Sequence, residues 1–236
     1  VSINLSRVLL KLSGEALAGS QGFGFDQEVL SKLSHEIVKV TKAGHEVGLV
    51  LGGGNLVRGQ GFADLGIDRV LGDQMGMLAT VMNALAFSSH LKRIQVPNQV
   101  FSATGIPGIT KPYDRNEALD RLVGGQVCLF SGGIGNPFFT TDTAACLRGI
   151  ELDCDMVIKA TNVDGIYSAD PKVDASASRF NSLSFQEVID KNLEVMDMTA
   201  VLLCRDHDMP ILVCDIEEED NLLRAANGES IGSVVK

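Results

Sequence analysis

Five short apolar runs, at residues 7–12, 46–51, 126–130, 156–159 and 211–214, are separated by longer segments of helical periodicity. Each run is four to six residues long and rich in Val, Leu and Ile, which suits a strand buried on both faces. Between them, residues 27–43 place Val29, Leu30, Leu33, Ile37 and Val40 on one stripe. Residues 75–93 do the same with Leu78, Val81, Met82, Leu85 and Leu91. Residues 116–123, 143–151, 185–189 and 196–207 also read as helices. Strands that alternate with helices build βαβ units. The expected fold class is therefore α/β, a three-layer α/β/α sandwich with a mainly parallel central sheet. No linker rich in Pro, Gly or Ser breaks the chain, so residues 1–236 are expected to form a single domain.

Glycine-rich segments follow the runs. They are Lys11-Leu12-Ser13-Gly14, then Gly52-Gly53-Gly54-Asn55 with Arg58 close behind, the 131–142 segment, and Lys159-Ala160-Thr161-Asn162. In an open parallel sheet, ligands sit beyond the carboxyl ends of the strands, so four such loops are expected to meet at one cleft. The 131–142 segment is the richest. Its glycines offer backbone N–H groups, and Thr140, Thr141 and Asp142 follow at the mouth of a helix. That combination suits phosphate binding. The same residues also suit an ordinary helix cap.

Composition narrows the function. The chain has 45% apolar residues and six prolines, an ordinary composition for a packed core. A net charge of −10 argues against sequence-independent DNA or RNA binding but not against a small anion held by local cations. Five cysteines in no C-x-x-C spacing read as buried reduced thiols. Residues 1–7 carry no apolar leader core, and no uninterrupted apolar run approaches 18 residues, so neither secretion nor a membrane span is expected. There is no Gly-Lys dipeptide for a P-loop, no H-E-x-x-H and no G-x-S-x-G, so a zinc enzyme or serine hydrolase has no support.

Two long stretches are highly specific. One runs Arg69-Val70-Leu71-Gly72-Asp73-Gln74-Met75-Gly76-Met77-Leu78-Ala79-Thr80. The other runs Lys159-Ala160-Thr161-Asn162-Val163-Asp164-Gly165-Ile166-Tyr167-Ser168-Ala169-Asp170-Pro171. With the glycine loops and the end Gly228-Glu229-Ser230-Ile231-Gly232, they make the chain resemble the bacterial uridylate kinases of the amino acid kinase family, over nearly its whole length.

The resemblance implies phosphoryl transfer from ATP to UMP, with Mg2+ accompanying ATP, within CTP biosynthesis. It implies that Lys11, Leu12, Ser13, Gly14, Gly54, Arg58, Thr161, Asn162, Tyr167 and Asp170 hold ATP. It places UMP on Gly53, Asp73, Ile134, Gly135, Asn136, Pro137, Phe138, Phe139, Thr140 and Thr141. Lys11, Arg58 and Asp142 would form the catalytic centre. Lys159, read from its residue chemistry alone, is open between a core-edge lysine and a phosphate contact. No dedicated metal ligands are implied. Gly19, Ser20, Gln21, Gly22, Phe23 and Gly24 match a segment linked to activation by GTP. Inhibition by UTP, a homohexamer, a cytoplasmic location and no nucleic-acid or membrane partner are likewise implied.

The chain departs from the pattern at two places. Ile134 stands where a threonine is usual, and Asn162 where a lysine is common. Two other readings remain open at this stage: a kinase of the same fold acting on a carbamate, acyl carboxylate or aspartate, and a non-catalytic binding protein. Asp73 and the Thr140-Thr141 pair weigh against the first, and the set Lys11, Arg58, Asp142 and Asp170 against the second.

Overall fold

The computed structural model describes residues 5–57, 65–171, 173–174 and 176–236. The five expected strands are β1 (Arg7–Leu12), β2 (Glu46–Leu51), β5 (Val127–Ser131), β6 (Met156–Thr161) and β10 (Ile211–Asp215). They form the centre of a nine-stranded sheet of order β4-β3-β5-β2-β1-β6-β10-β11-β9. β3 (Asn98–Ser102), β4 (Lys111–Pro112), β9 (Ser182–Leu183) and β11 (Ser233–Val235) complete it among the described residues, where only the β10–β11 pairing of this sheet is antiparallel. A separate antiparallel pair joins β7 (Ile166–Tyr167) to β8 (Arg179–Phe180).

The helices are α1 (Gln27–Lys42), α2 (Arg69–Arg93), α3 (Arg115–Val123), α4 (Thr141–Glu151), α5 (Phe185–Asp190), α6 (Met198–Asp206) and α7 (Asn221–Ala226). A 3-10 helix spans Gly14–Gln21. Two apolar layers result. Leu30, Leu33, Ile37 and Val40 of α1, Phe87 and Leu91 of α2, and Leu222 of α7 pack on one side of the sheet. Ala118 and Leu122 of α3, Ala145 and Cys146 of α4, Val188 of α5 and Val201 of α6 pack on the other. Side chains on a strand alternate between faces. In β1, Val8, Leu10 and Leu12 meet the first layer and Leu9 meets the second, so Lys11 belongs to the second face, beside α4.

Helix α2 begins earlier than its periodicity suggests. Asp68, not a residue near Met75, is its N-cap and accepts the Leu71 N–H at 3.1 Å. At 25 residues it is long and apolar enough, by length and composition, to cross a membrane. The count of uninterrupted apolar residues misses this because Asp73, Gln74 and Asn83 punctuate the helix. It packs against the first layer through Ala84, Phe87 and Leu91, while Leu71, Leu78 and Met82 stay exposed. All five cysteines are buried free thiols.

Leu49, fully buried at the centre of β2, supports the first layer. Leu49→Ala is expected to lower the melting temperature by roughly 5–15 °C, since a buried Leu→Ala change costs about 2–5 kcal/mol in a domain of this size. A melt shifted by less than a degree would show that the site collapses without cost.

Candidate active site

Lys11 and Lys159 are register partners on the adjacent parallel strands β1 and β6, so their side chains leave the sheet on the same face. Two ammonium groups side by side repel, and the fold places a carboxylate between them. Asp142, in the first turn of α4, lies 2.8 Å from Lys11 Nζ through Oδ1 and 2.9 Å from Lys159 Nζ through Oδ2. Lys159 donates a hydrogen bond to one carboxylate oxygen, and Lys11 forms an ion pair with the other. Lys159 also donates to the Val195 carbonyl at 2.6 Å. Burial alone would push the Asp142 carboxyl up, but the charges of Lys11 and Lys159 outweigh it and hold the group below its ordinary range. Its place at the N-terminus of α4 adds a favourable helix dipole. With one carboxylate between two ammoniums, the cluster carries a formal charge of +1 at the carboxyl edge of the sheet.

The glycine loops converge on this edge. Gly52 N–H donates to the Leu12 carbonyl at 2.9 Å, joining the first loop to the second. A Cβ on Gly14 would sit 2.5 Å from the Gly52 carbonyl oxygen and 2.6 Å from the Gly54 nitrogen, so only glycine lets these loops touch. The third loop is anchored on α2, where Thr80 Oγ1 accepts the Gly132 N–H at 2.8 Å. Gly132 has φ 74°, and a Cβ there would meet Ser102 Oγ at 2.7 Å.

Two cavities lie at this edge: Lys159 of the cluster lines the larger, and Thr141, next to Asp142 in the chain, lines the smaller. The smaller, about 220 Å3, is lined by Gly53, Gly54, Asp73, Asn136, Phe139, Thr140 and Thr141, together with Arg69, Thr80 and others from α2. Seven residues expected at an acceptor or phosphate subsite thus come together there. Ile134, Gly135, Pro137 and Phe138 belong to the same loop but do not line that cavity. Asp73 accepts from Arg69 Nε at 2.8 Å and from the Phe138 N–H at 2.7 Å, so it also fastens the third loop to α2. The larger cavity, about 600 Å3, is lined by Lys159, Thr161, Tyr167 and Asp170. It also meets residues 191–195, which sequence reasoning did not place at the site. Tyr167 Oη donates to Asp164 Oδ1 at 2.7 Å, which, together with Arg179, holds that carboxyl below its ordinary range.

Other expected residues fall differently. Asn162 lines a third cavity with Glu15, Gly19, Lys32 and Glu217, away from Thr161 and Tyr167. The Leu12 side chain lies in the core, which leaves its backbone for any ligand contact. Ser13 caps the 3-10 helix through its hydroxyl, at 3.4 Å from the Ala16 N–H. Gly19, with φ 54°, and Gly22 belong to that helix and its end, and Gly24 N–H donates to the Asn55 carbonyl at 3.0 Å. Ser20, Gln21 and Phe23 are exposed in the same segment. Arg58 lies outside the described residues.

Sequence reasoning also missed Asp197. It caps α6 by accepting the Ala200 N–H at 3.0 Å, and it accepts hydroxyl hydrogen bonds from Thr143, at 2.9 Å, and from Thr140. An aspartate one residue before an apolar helical run is a capping signal that would have located it.

The profile of the amino acid kinase family matches residues 6–215. The chain belongs to the amino acid kinase family. It is 52% identical over 233 residues to the uridylate kinase of Legionella pneumophila strain Corby, covering 99% of this chain and 95% of that protein. It is 52% identical to the uridylate kinase of Pseudomonas aeruginosa PAO1, over 98% of this chain and 94% of that one. The crystal structure of UMP kinase from Bacillus anthracis superposes with a TM-score of 0.97 at 36% identity, covering 99% of this chain and 97% of that chain. UMP kinase from Ureaplasma parvum gives a TM-score of 0.93 at 31% identity, over 99% and 100% of the two chains.

The depressed Asp142 carboxyl sets a pH dependence. A carboxyl held low in the folded state contributes stability above its unfolded pKa, and that contribution disappears as pH falls through the folded value. Asp142→Asn is therefore expected to melt below the parent chain at neutral pH, with the gap narrowing below about pH 4. Melts from pH 7 to pH 3 measure it, and a gap independent of pH would remove the lysine pairing as the cause.

Proposed function

We propose that the chain is an ATP-dependent UMP kinase that transfers the γ-phosphoryl group of ATP to UMP, giving ADP and UDP for pyrimidine nucleotide synthesis. The observation that carries the proposal is the Lys11–Asp142–Lys159 cluster between the glycine loops, with Lys159 lining the larger cavity and Thr141, the chain neighbour of Asp142, lining the smaller. The larger cavity suits the adenosine of ATP, against Thr161, Tyr167 and Asp170. The smaller suits UMP, with its phosphate on the loop of Ile134, Gly135, Asn136, Pro137, Phe138, Phe139, Thr140 and Thr141 and its ribose near Asp73.

The chemistry needs positioning and charge more than covalent help. A UMP phosphate oxygen attacks the γ-phosphorus, the bond from that phosphorus to the β–γ bridging oxygen breaks, and ADP leaves with the electron pair. No general base is required, because a phosphate monoester is largely dianionic at neutral pH, its second pKa being about 6. Lys11 is held rigidly by Asp142, so its charge faces the transferring group without having to be reorganised. Glycine N–H groups of the three loops would take the remaining phosphate oxygens. Arg58 is assigned to the same task from the sequence.

Magnesium supplies neutralisation of the ATP phosphates when it is bound with them. The described residues do not suit a protein-built cage: no group of three or more His, Cys, Asp or Glu side chains is placed to hold a metal, and Asp142 is already shared by two lysines. A magnesium ion bound here would be held chiefly by the nucleotide's own phosphates, whose charge it would neutralise.

The same reading extends to regulation and assembly. The 236 residues would act as one domain in the cytoplasm, with no nucleic-acid or membrane partner. Leu71, Leu78 and Met82 expose an apolar stripe on α2, which supports burial between copies in a homohexamer. GTP as activator would act through the segment of Gly19, Ser20, Gln21, Gly22, Phe23 and Gly24, and UTP as inhibitor would compete as a product-like nucleotide.

ADP release from Mg-ATP, with UMP, CMP, dUMP and aspartate as parallel acceptors, tests the proposal. Turnover on UMP is expected; turnover on aspartate alone would reassign the chain within its family, and nucleotide binding with no turnover on any acceptor would favour a binding protein. Lys11→Ala is expected to lower kcat by about two to three decades while the chain stays folded, the loss typical of removing a preorganised charge. Asp73→Ala is expected to raise the KM for UMP more than it lowers kcat, and an unchanged KM would refute its place at the acceptor.

A further inference from the structure

Behind the phosphate loops lies a pair of buried amides that the kinase chemistry does not use. Asn55 is 1% exposed, and Asn83, on α2, is 0% exposed. Asn83 Nδ2 donates to the Gly52 carbonyl at 2.6 Å and to Asn55 Oδ1 at 2.6 Å. Asn55 Nδ2 donates to Asn83 Oδ1 at 3.1 Å and to the Gly24 carbonyl at 2.8 Å. All four amide hydrogens are thus used, and each amide oxygen accepts one. A fully satisfied buried network of this kind fixes one geometry rather than several.

What it fixes is a single peptide plane. The Gly52 carbonyl and the Gly53 N–H share a trans peptide, so they point in opposite directions. Between two glycines such a plane turns easily, because neither residue restricts it. Asn83 grips the carbonyl on the buried side, which aims the Gly53 N–H the other way. Gly53 lines the 220 Å3 cavity, and among the described residues no backbone carbonyl takes its N–H. There is no room for a side chain at Gly53 either: a Cβ would meet the Gly76 carbonyl oxygen at 2.9 Å and Ala79 Cβ at 3.0 Å.

We propose that Asn83 is a positioning residue for phosphoryl transfer: by holding the Gly52 carbonyl it aims the Gly53 N–H at a phosphate oxygen in the cleft, and Asn55 holds Asn83 in turn. The inference rests on phosphoryl transfer at this cleft and concerns the step itself more than nucleotide affinity. Asn55 also ties the same network to the Gly24 end of the glycine segment that follows the 3-10 helix.

The test compares the parent chain with Asn83→Asp, which keeps the shape but removes both donors, with Asn55→Ala, and with Leu122→Ala, a core change in α3 remote from the loops. Melting temperature, kcat and both KM values are measured at a temperature where each variant is folded. Asn83→Asp is expected to lose about 10- to 100-fold in kcat, the cost of misplacing a reacting group by about an ångström, with both KM values changed less than about threefold. Asn55→Ala should show the same pattern to a smaller extent. Leu122→Ala should melt earlier yet keep kcat within about twofold of the parent. Parent-like kcat in folded Asn83→Asp would overturn the proposal, as would a kcat loss equalled by Leu122→Ala at the same melting temperature. A readout free of variants uses the 15N-labelled parent chain with UMP and a non-hydrolysable ATP analogue. The Gly53 amide proton is expected to move downfield, and an unmoved Gly53 resonance in a nucleotide-saturated sample would overturn the proposal. Absence of any turnover by the parent would sink the kinase reading instead, leaving the amide result to be judged on its own.

Discussion

The arrangement at the carboxyl edge of the sheet depends on one electrostatic constraint: two lysines that the β1–β6 register forces onto the same face. At a few ångströms apart, and away from bulk water, like charges repel by several kcal/mol at an effective dielectric near 20. Asp142 relieves that repulsion, and it can do so only if α4 starts where it does. Thr140 ends the extended segment and caps the helix through the Asp142 N–H, so the third loop, the cap and the ion cluster are one device. Buried ion pairs often add little to stability, because desolvation offsets attraction. Their value here is positional. The cluster keeps one net formal positive charge in a fixed place, which on the proposed function an incoming phosphate would neutralise.

Close backbone packing is the second constraint, and it follows from the first. The lysines are useful only if phosphate can approach them, which requires loops without side chains around the cleft. Gly14 lies against Gly52 and Gly54, and Gly53 lies against the Gly76 turn of α2. Conformational freedom at so many glycines would be costly if nothing restrained it. Helix α2 supplies the restraint through isolated polar side chains. Asp73 takes the Phe138 N–H, Thr80 takes the Gly132 N–H and Asn83 takes the Gly52 carbonyl. Two loops that never touch in sequence are thereby registered to one rigid rod.

Much of this was legible in the chain. The central strands declared themselves because both of their faces are buried, which leaves uninterrupted apolar runs. β3 did not, because it opens with Asn98 and Gln99 after Pro97 and only its last three residues are buried. The first turn of α2 was hidden by Gly72 and Gly76, which depress helix propensity, while Asp68, the true cap, sits upstream of the apolar stripe. Lys11, Asp142, Gly53, Gly54, Asp73 and Tyr167 were named from motifs and lie around the cleft. Asn162 shows where chain adjacency fails as a guide. It follows Thr161 directly, yet lines another cavity, because the chain turns at the end of β6. Thr80 and Asn83 were illegible for the opposite reason, whereas Asp197 was legible as a cap but not as a partner of the third loop. Asn83 and Thr80 are each a single polar residue on an apolar helix, whose meaning lies in a partner in a loop 31 or 52 positions away.

The global charge of the chain sharpens the role of these local devices. A protein with net charge −10 repels nucleotides at long range, so it gains nothing from diffuse steering. Affinity for phosphate then has to come from groups at contact distance, where the Coulombic interaction is largest. A fixed lysine pair sharing one aspartate, and on the inference above the Gly53 N–H aimed through Asn83, would meet that requirement. Scattered surface lysines would not, since salt screens them within about 8 Å at physiological ionic strength. The same logic explains why the peptide carrying Gly53 matters. At contact distance, the direction of one N–H dipole decides whether it stabilises a phosphate oxygen or opposes it, and a glycine peptide has no direction of its own until Asn83 supplies one.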